Sequence, residues 1–352
     1  MLQFLEARTR RAFFLVPFAY FAMAAISAAG EADVVNIYSY RQPDLIRPML
    51  DAFTKETGIR TQIIFAEKGL EERIRAEGAL SPADVILTSD ISRLAAAKDI
   101  GVTQRLDDPV VRANIPPQYR DEEGHWFGLT LRSRVVFASR ERVAQDNITY
   151  EELADPKWKG RICTRSGQHV YNIGLIASMI AHHGQEWTET WLHGVKGNLA
   201  VKPTGNDRAQ AKAVYAGQCD IALGNTYYIA LMRTNDKEPK QKVWADSIKV
   251  LFPNAAGRGS HVNISGMALA AHAPHRDAAV KLMAYLTGDV AQKLYAETNH
   301  EYPVKAGVPV SEMVASFGQL NADPLPLSEI AKNRRIASEL VDRVGYDDGP
   351  SS

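Results

Sequence analysis

Apolar positions along this chain recur in two alternating patterns, short buried runs and stretches at three- and four-residue spacing. Val34-Val35-Asn36-Ile37-Tyr38 reads as a buried strand. Residues 43–56 read as a helix, because Leu45, Ile46, Met49, Leu50 and Phe53 fall on one face. Pro43 suits its start and Gly58 its end. A second strand at 60–65, a helix at 70–79, a strand at 83–87 and a helix at 91–97 continue the alternation. This order predicts an α/β protein with parallel strand pairing. In such sheets ligands bind beyond the carboxyl ends of the strands, here the loops at 39–42, 66–69 and 88–90.

A second series begins at 134–138, a strand suited to carry the chain from one lobe to another. Helices are expected at 173–184, 188–193, 207–215, 229–233, 275–288 and 290–298. The apolar run Cys219-Asp220-Ile221-Ala222-Leu223 reads as a strand. Residues 248–252 read as a return strand into the first lobe, and 265–270 as another. Residues 346–352 are expected to be a disordered tail.

The first 29 residues read as a signal peptide. Arg8, Arg10 and Arg11 precede an apolar stretch at 12–26, and Ser27-Ala28-Ala29-Gly30 offers the small residues of a cleavage site. Thr9-Arg10-Arg11-Ala12-Phe13-Phe14-Leu15 also looks like a twin-arginine signal, so export is expected by the Sec or the twin-arginine route. The mature protein is therefore placed outside the cytoplasm, in the periplasm. Without those residues, 38 basic side chains face 40 acidic ones, a net charge of about −2. That balance gives no electrostatic footprint for nucleic acid. Two cysteines, Cys163 and Cys219, sit in strand-like contexts. In an oxidising compartment a disulfide between them is favoured over two buried free thiols.

The candidate chemistry lies in Asn225-Thr226-Tyr227-Tyr228 and in Tyr171, which ends the loop segment Arg165-Ser166-Gly167-Gln168-His169-Val170. Phenolates are hard oxygen donors and suit hard cations, Fe(III) before zinc or copper. With 13 tyrosines in 352 residues, an adjacent pair is unsurprising by chance, so its meaning rests on the surrounding chain. There is no G-x-S-x-G elbow, Walker loop or H-E-x-x-H, and an enzyme is not expected. His182-His183 reads as a helix end that caps or faces solvent.

An ordered set of motifs then carries a resemblance. It comprises Asp155-Pro156-Lys157-Trp158-Lys159-Gly160, Asn225 to Tyr228, Ala83-Asp84-Val85, Trp126-Phe127-Gly128, Arg132-Ser133-Arg134, Gly205-Asn206-Asp207 and the run from Gly257 to Gly266. Together, over residues 33–318, the chain resembles the ferric-iron-binding periplasmic proteins of ABC importers, in their tyrosine-rich branch. The resemblance implies two α/β lobes with a hinge and an interlobe ligand cleft. The first lobe would hold 31–131 and 258–306, the second 134–257 and 309–345. Tyr171, Tyr227 and Tyr228 match the family's ligand positions. Gln42 and Pro43 stand where many relatives carry His or a His-Tyr pair, so Tyr40 becomes the candidate donor from the first lobe; Glu67 is a weaker one.

Three phenolates would balance the charge of ferric iron, and the resemblance implies carbonate or bicarbonate to complete the shell. Arg132 and Arg134, with Arg41, are the expected anion anchors, since a planar guanidinium suits bidentate oxyanion binding. Ser166, Gly167, Asn206 and Asn225 match supporting positions, and His261 is a candidate brace. The implied partners are an inner-membrane ABC permease and its cytoplasmic ATPase, with the protein a monomer. The competing reading is a binding protein of the same fold for an oxyanion or polyamine, and after it an enzyme built on this fold. Two of the candidate ligands stand at the same distance from a cysteine: Cys163 and Cys219 lie eight residues before Tyr171 and Tyr227. A disulfide there would brace the iron-bearing segments.

Overall fold

The computed structural model describes residues 34–350. The expected signal peptide and the last two residues lie outside that range. The chain opens with β1 (Val34–Ser39), α1 (Pro43–Thr57), β2 (Arg60–Phe65), α2 (Leu70–Glu77), β3 (Val85–Thr88), α3 (Ile91–Asp99), β4 (Thr103–Gln104) and α4 (Pro109–Asn114). Next come β5 (Phe127–Ser139), β6 (Ile162–Cys163), α5 (Val170–His183), α6 (Gln185–Gly197), α7 (Asp207–Tyr215), β7 (Ile221–Asn225), α8 (Thr226–Arg233), α9 (Lys240–Asp246) and β8 (Ile248–Leu251). The chain finishes with β9 (Val262–Ala270), α10 (Arg276–Leu286), α11 (Asp289–Asn299), β10 (Tyr302–Pro303), α12 (Glu312–Ala315) and α13 (Leu327–Val344).

Local chemistry explains the elements that the sequence pattern predicts. In α1 the buried face is Ile46, Met49, Leu50 and Phe53, and Gly58 ends the helix in the left-handed region at φ 76°. Asp90 starts α3 by accepting a hydrogen bond from the Ser92 amide. β3 and β9 are buried along their whole length, as expected of strands covered on both faces.

The two lobes meet in β5, a 13-residue strand buried throughout. Its first half, from Phe127 to Ser133, pairs antiparallel with β9, and β9 pairs antiparallel with β3. β3 and β2 flank β1 in parallel, which completes the first sheet in the order β2-β1-β3-β9-β5. The second half of β5, from Arg134 onward, pairs antiparallel with β7, which in turn pairs parallel with β6. Arg132 and Arg134 thus flank the point where β5 changes partners.

Three expectations need correction. β8 does not return to the first lobe: it pairs with Val136–Ser139, in the second sheet. The pattern over 149–161 also reads as a short helix followed by a turn into a strand, but the structure has a pair of 3₁₀ turns there, Glu151–Ala154 and Pro156–Trp158, separated by Asp155, with Pro156 opening the second. The tail is ordered at its start: Tyr346 is 3 % exposed and opens a 3₁₀ turn, Tyr346–Asp348. No helix among the described residues is long and apolar enough to cross a membrane.

Candidate metal site

The three tyrosines sit in the first turns of two helices, where the sequence pattern suggests loops. β7 runs through Asn225 and turns directly into α8, so Tyr227 and Tyr228 are its second and third residues. Tyr171 is the second residue of α5. His169 caps α5: its Nδ1 accepts the Tyr171 amide at 3.2 Å, and its ring meets the Tyr171 ring edge-on at 4.5 Å. Helical Cα–Cβ bonds tilt toward the N-terminus. The positive end of the helix dipole also favours negative charge at that end. First-turn placement therefore suits phenols that bind as phenolates.

The Tyr171 and Tyr227 hydroxyls are 3.2 Å apart, and the Tyr227 and Tyr228 rings stack at 4.3 Å between centroids. Burial pushes the Tyr227 phenol well above its usual range, and negative charge on Tyr171 or Tyr228 would push it further. Burial likewise raises Tyr228, to about 12. These oxygens cannot all ionise so close together without a cation among them. Among the described residues no group of three or more His, Cys, Asp or Glu side chains is arranged to hold a metal ion.

A cleft of about 300 Å³ opens on the phenols, and Tyr40, Arg41, Gln42, Ser89, Arg132, Arg208 and Glu301 also line it. Arg41 and Arg132 converge on one hydroxyl, Ser265 Oγ, at 2.5 and 2.9 Å. Arg41 also donates to Glu301 at 2.9 Å, and Arg132 to the Ile264 carbonyl at 3.1 Å. The Nε atoms of both arginines are buried without a partner. Burial works against the Arg132 charge, yet Tyr171 and Glu301 hold its pKa above the usual value. The Glu301 carboxyl is held below its usual range, against the effect of burial, by Arg41 and Arg132. This cluster can neutralise and orient an oxyanion beside the phenols.

Other expected site residues are engaged elsewhere. Tyr40 lines the cleft, but its hydroxyl accepts the Leu70 amide at 2.7 Å and donates to Glu71, while the Arg93 guanidinium lies 3.8 Å over its ring. It holds the start of α2 and does not join the other three phenols. Arg134 is not a free anion anchor. Its Nη1 bonds Asp207 at 2.8 Å and Asn225 at 3.2 Å, and its Nη2 bonds Asn172 at 2.8 Å. Asn225 is thereby occupied as well. Ser166 donates to Asp347, and the exposed Asn206 caps α7 by accepting the Ala209 amide. Glu67 is exposed. His261 is buried at the crossing between lobes, and burial lowers its pKa to about 4, so it stays neutral. His182 and His183 pair with Asp323 and Glu151 at 2.6 and 2.8 Å.

Two cleft residues escaped the sequence reading. Arg208 lies 5.0 Å over the Tyr228 ring, one residue past the Gly205-Asn206-Asp207 motif, in the first turn of α7. That adjacency was the available signal. Glu301 carries none, because its partner Arg41 is 260 residues away.

The chain is 41 % identical over 319 residues to iron uptake protein A1 of Synechocystis sp. (strain ATCC 27184 / PCC 6803 / Kazusa), covering 90 % of this chain and 88 % of that one. Its fold is similar to the solved Bordetella ferric binding protein, at TM-score 0.85 and 51 % identity, over 90 % of this chain and 100 % of that one. It is equally similar to a Trichodesmium protein solved in complex with iron and citrate, at TM-score 0.85 and 42 % identity, covering 89 % and 99 %. Residues 23–293 match the bacterial extracellular solute-binding proteins, and the chain belongs to that family.

Proposed function

We propose that this protein captures ferric iron in the interlobe cleft and delivers it to an ABC importer. Tyr171, Tyr227 and Tyr228 bind the metal as phenolates, each giving up a proton as it does so. Carbonate or bicarbonate completes the shell, held by Arg132 and Arg41. Arg208, over the Tyr228 ring, adds positive charge beside that phenolate. Closure of the lobes excludes water, and the loaded form docks on an inner-membrane permease served by a cytoplasmic ATPase. The protein works as an exported monomer in the periplasm. Its lobes are those the resemblance implies, 31–131 with 258–306 and 134–257 with 309–345.

The observation that carries this reading is the 3.2 Å approach of Tyr171 to Tyr227 with Tyr228 stacked beside them, in a pocket that disfavours ionised phenols unless a cation is present. The test is a visible spectrum of the mature protein before and after ferric citrate and bicarbonate, with the Tyr227→Phe/Tyr228→Phe variant alongside. A phenolate-to-iron charge-transfer band, absent from the variant, is the expected result. No band and no iron after desalting would sink the reading and turn attention to oxyanions and polyamines.

A further inference from the structure

The C-terminal turn reaches back to the segment that launches Tyr171. Asp347 accepts two hydrogen bonds there, from Ser166 Oγ at 2.5 Å and from the Gly167 amide at 2.6 Å. Ser166 Oγ in turn accepts the Gln168 amide at 3.1 Å. The Gln168 side chain is tied to α13 on both ends: its Nε2 donates to the Ser338 carbonyl at 3.0 Å and to Asp342 at 2.8 Å, and its Oε1 accepts Ser338 Oγ at 2.7 Å. Tyr346 seals the contact. A Cβ on Gly167 would stand 2.7 Å from the Tyr346 ring and 2.8 Å from Val341, so only glycine allows the turn to close this tightly.

The chain between this anchor and the phenol is short and stiff. The His169 amide donates to the Ser166 carbonyl at 3.1 Å, His169 caps α5, and Tyr171 is two residues further on. The direct hydrogen bond found for the Tyr171 hydroxyl is to Tyr227. Its position is therefore set by where α5 begins. A charged acceptor pins that point at Gly167 from 180 residues further along the chain. Hydrogen bonds to an ionised acceptor are roughly twice as strong as neutral ones.

We propose that Asp347 is a positioning residue for Tyr171, holding the 166–169 segment so that the phenol meets Tyr227 and Tyr228 at the metal. The proposal rests on the phenolate reading of the site. Ligation depends on placing a donor within about half an ångström, so a segment free to open would loosen one ligand of three while leaving the other two in place.

The test compares full-length mature protein with Asp347→Ala, Asp347→Asn and Asp348→Asn. Asp348 is exposed and one residue away, so its variant carries the same charge change without the two bonds. Two readouts are needed. In iron-free protein, amide exchange across 166–172 should quicken about tenfold in Asp347→Ala, less in Asp347→Asn and not in Asp348→Asn, with the far half of α5 unchanged. In iron-loaded protein, transfer of iron to EDTA should quicken about tenfold in Asp347→Ala, with a shifted charge-transfer maximum. Should Asp347→Ala fail to fold, Ser166→Ala removes one of the two bonds from the other side and must move both readouts in the same direction. Unchanged exchange and unchanged iron loss in these variants would overturn the proposal. A wild-type protein without any charge-transfer band would instead defeat the phenolate reading, and the exchange readout would still decide whether Asp347 orders the segment.

Discussion

Cys163 and Cys219 form a disulfide with Cα atoms 5.8 Å apart, and each lies eight residues before a phenol of the site, Tyr171 and Tyr227. The pairing is the one favoured from the even cysteine count. It joins the end of β6 to the approach of β7, strands that already pair in parallel at Cys163 and Ala222. The bond closes a loop of 56 residues, for which chain entropy gives about 4 kcal/mol of stability. The double variant Cys163→Ser/Cys219→Ser should lose that much unfolding free energy, read as a lower urea midpoint. Because β6 and β7 remain paired, the iron charge-transfer band should survive wherever the variant is folded. Loss of the band in folded variant would mean that the disulfide itself sets the site.

Iron binding should release protons, and the phenols say how many. Burial holds Tyr227 far above its usual range and Tyr228 at about 12, so both are protonated at neutral pH in the iron-free protein. Each becomes a phenolate on binding. Affinity for ferric iron should therefore rise with pH, by about tenfold per pH unit for each phenol deprotonated, and fall on acidification. Tyr228→Phe should release one proton fewer per iron than wild type, counted by pH-stat on addition of a ferric chelate. Equal release by both proteins would exclude Tyr228 as a ligand.

Much of the fold is legible in the sequence where local signals agree. α1 has a proline at its start, a glycine at its end and one apolar face, and the pattern places it to within a residue. The same pattern begins α8 three residues late, because Asn225, Thr226 and the tyrosines are weak helix formers and the helix starts without a side-chain cap. The identities of the three phenols are legible from motif resemblance. The fate of the arginines is not. Arg132 and Arg134 are two residues apart on one strand and look equivalent in sequence, yet one lines the cleft and the other is locked to Asp207, 73 residues away. Such pairings depend on tertiary proximity that no local pattern encodes.

That difference has a measurable consequence. Arg134 is 2 % exposed and Asp207 is fully buried, with Arg165 as a second partner at 3.0 Å. Removing one member of a buried pair costs about 3–5 kcal/mol when the other charge is left alone; here Arg165 still faces Asp207, so the loss falls toward or below the low end of that range. Arg134→Ala should still lower the denaturation midpoint. Arg132→Gln should instead weaken the dependence of the charge-transfer band on bicarbonate at smaller cost in stability. Reversed behaviour of the two variants would exchange the roles assigned to them.

Tyr40 offers a similar contrast among the tyrosines. Its hydroxyl serves the Leu70 amide and Glu71, whose carboxyl burial raises above the usual range. Tyr40→Phe leaves that amide unsatisfied, at about 1–3 kcal/mol. The visible band of the iron-loaded variant should match wild type in position and intensity. A band that shifted or weakened would show that Tyr40 leaves Glu71 and joins the metal when iron binds.

At the far end of α5 an ionic cluster should control acid stability. Burial opposes charge on Glu151, but hydrogen bonds from Asn254, Arg258 and His183 prevail and hold its carboxyl at about 2. Arg258 reaches Glu151 from the segment that crosses into β9, and His183 reaches it from the last turn of α5. The folded pKa lies below the ordinary value near 4.5. The carboxylate therefore contributes stability that is fully present above that value and is lost as pH falls toward about 2. Glu151→Gln should be less stable than wild type at neutral pH, and the gap should narrow as both are titrated from pH 5 to pH 2.5. Urea midpoints taken across that range decide it: two curves that stay parallel would mean that another carboxylate governs the acid limb.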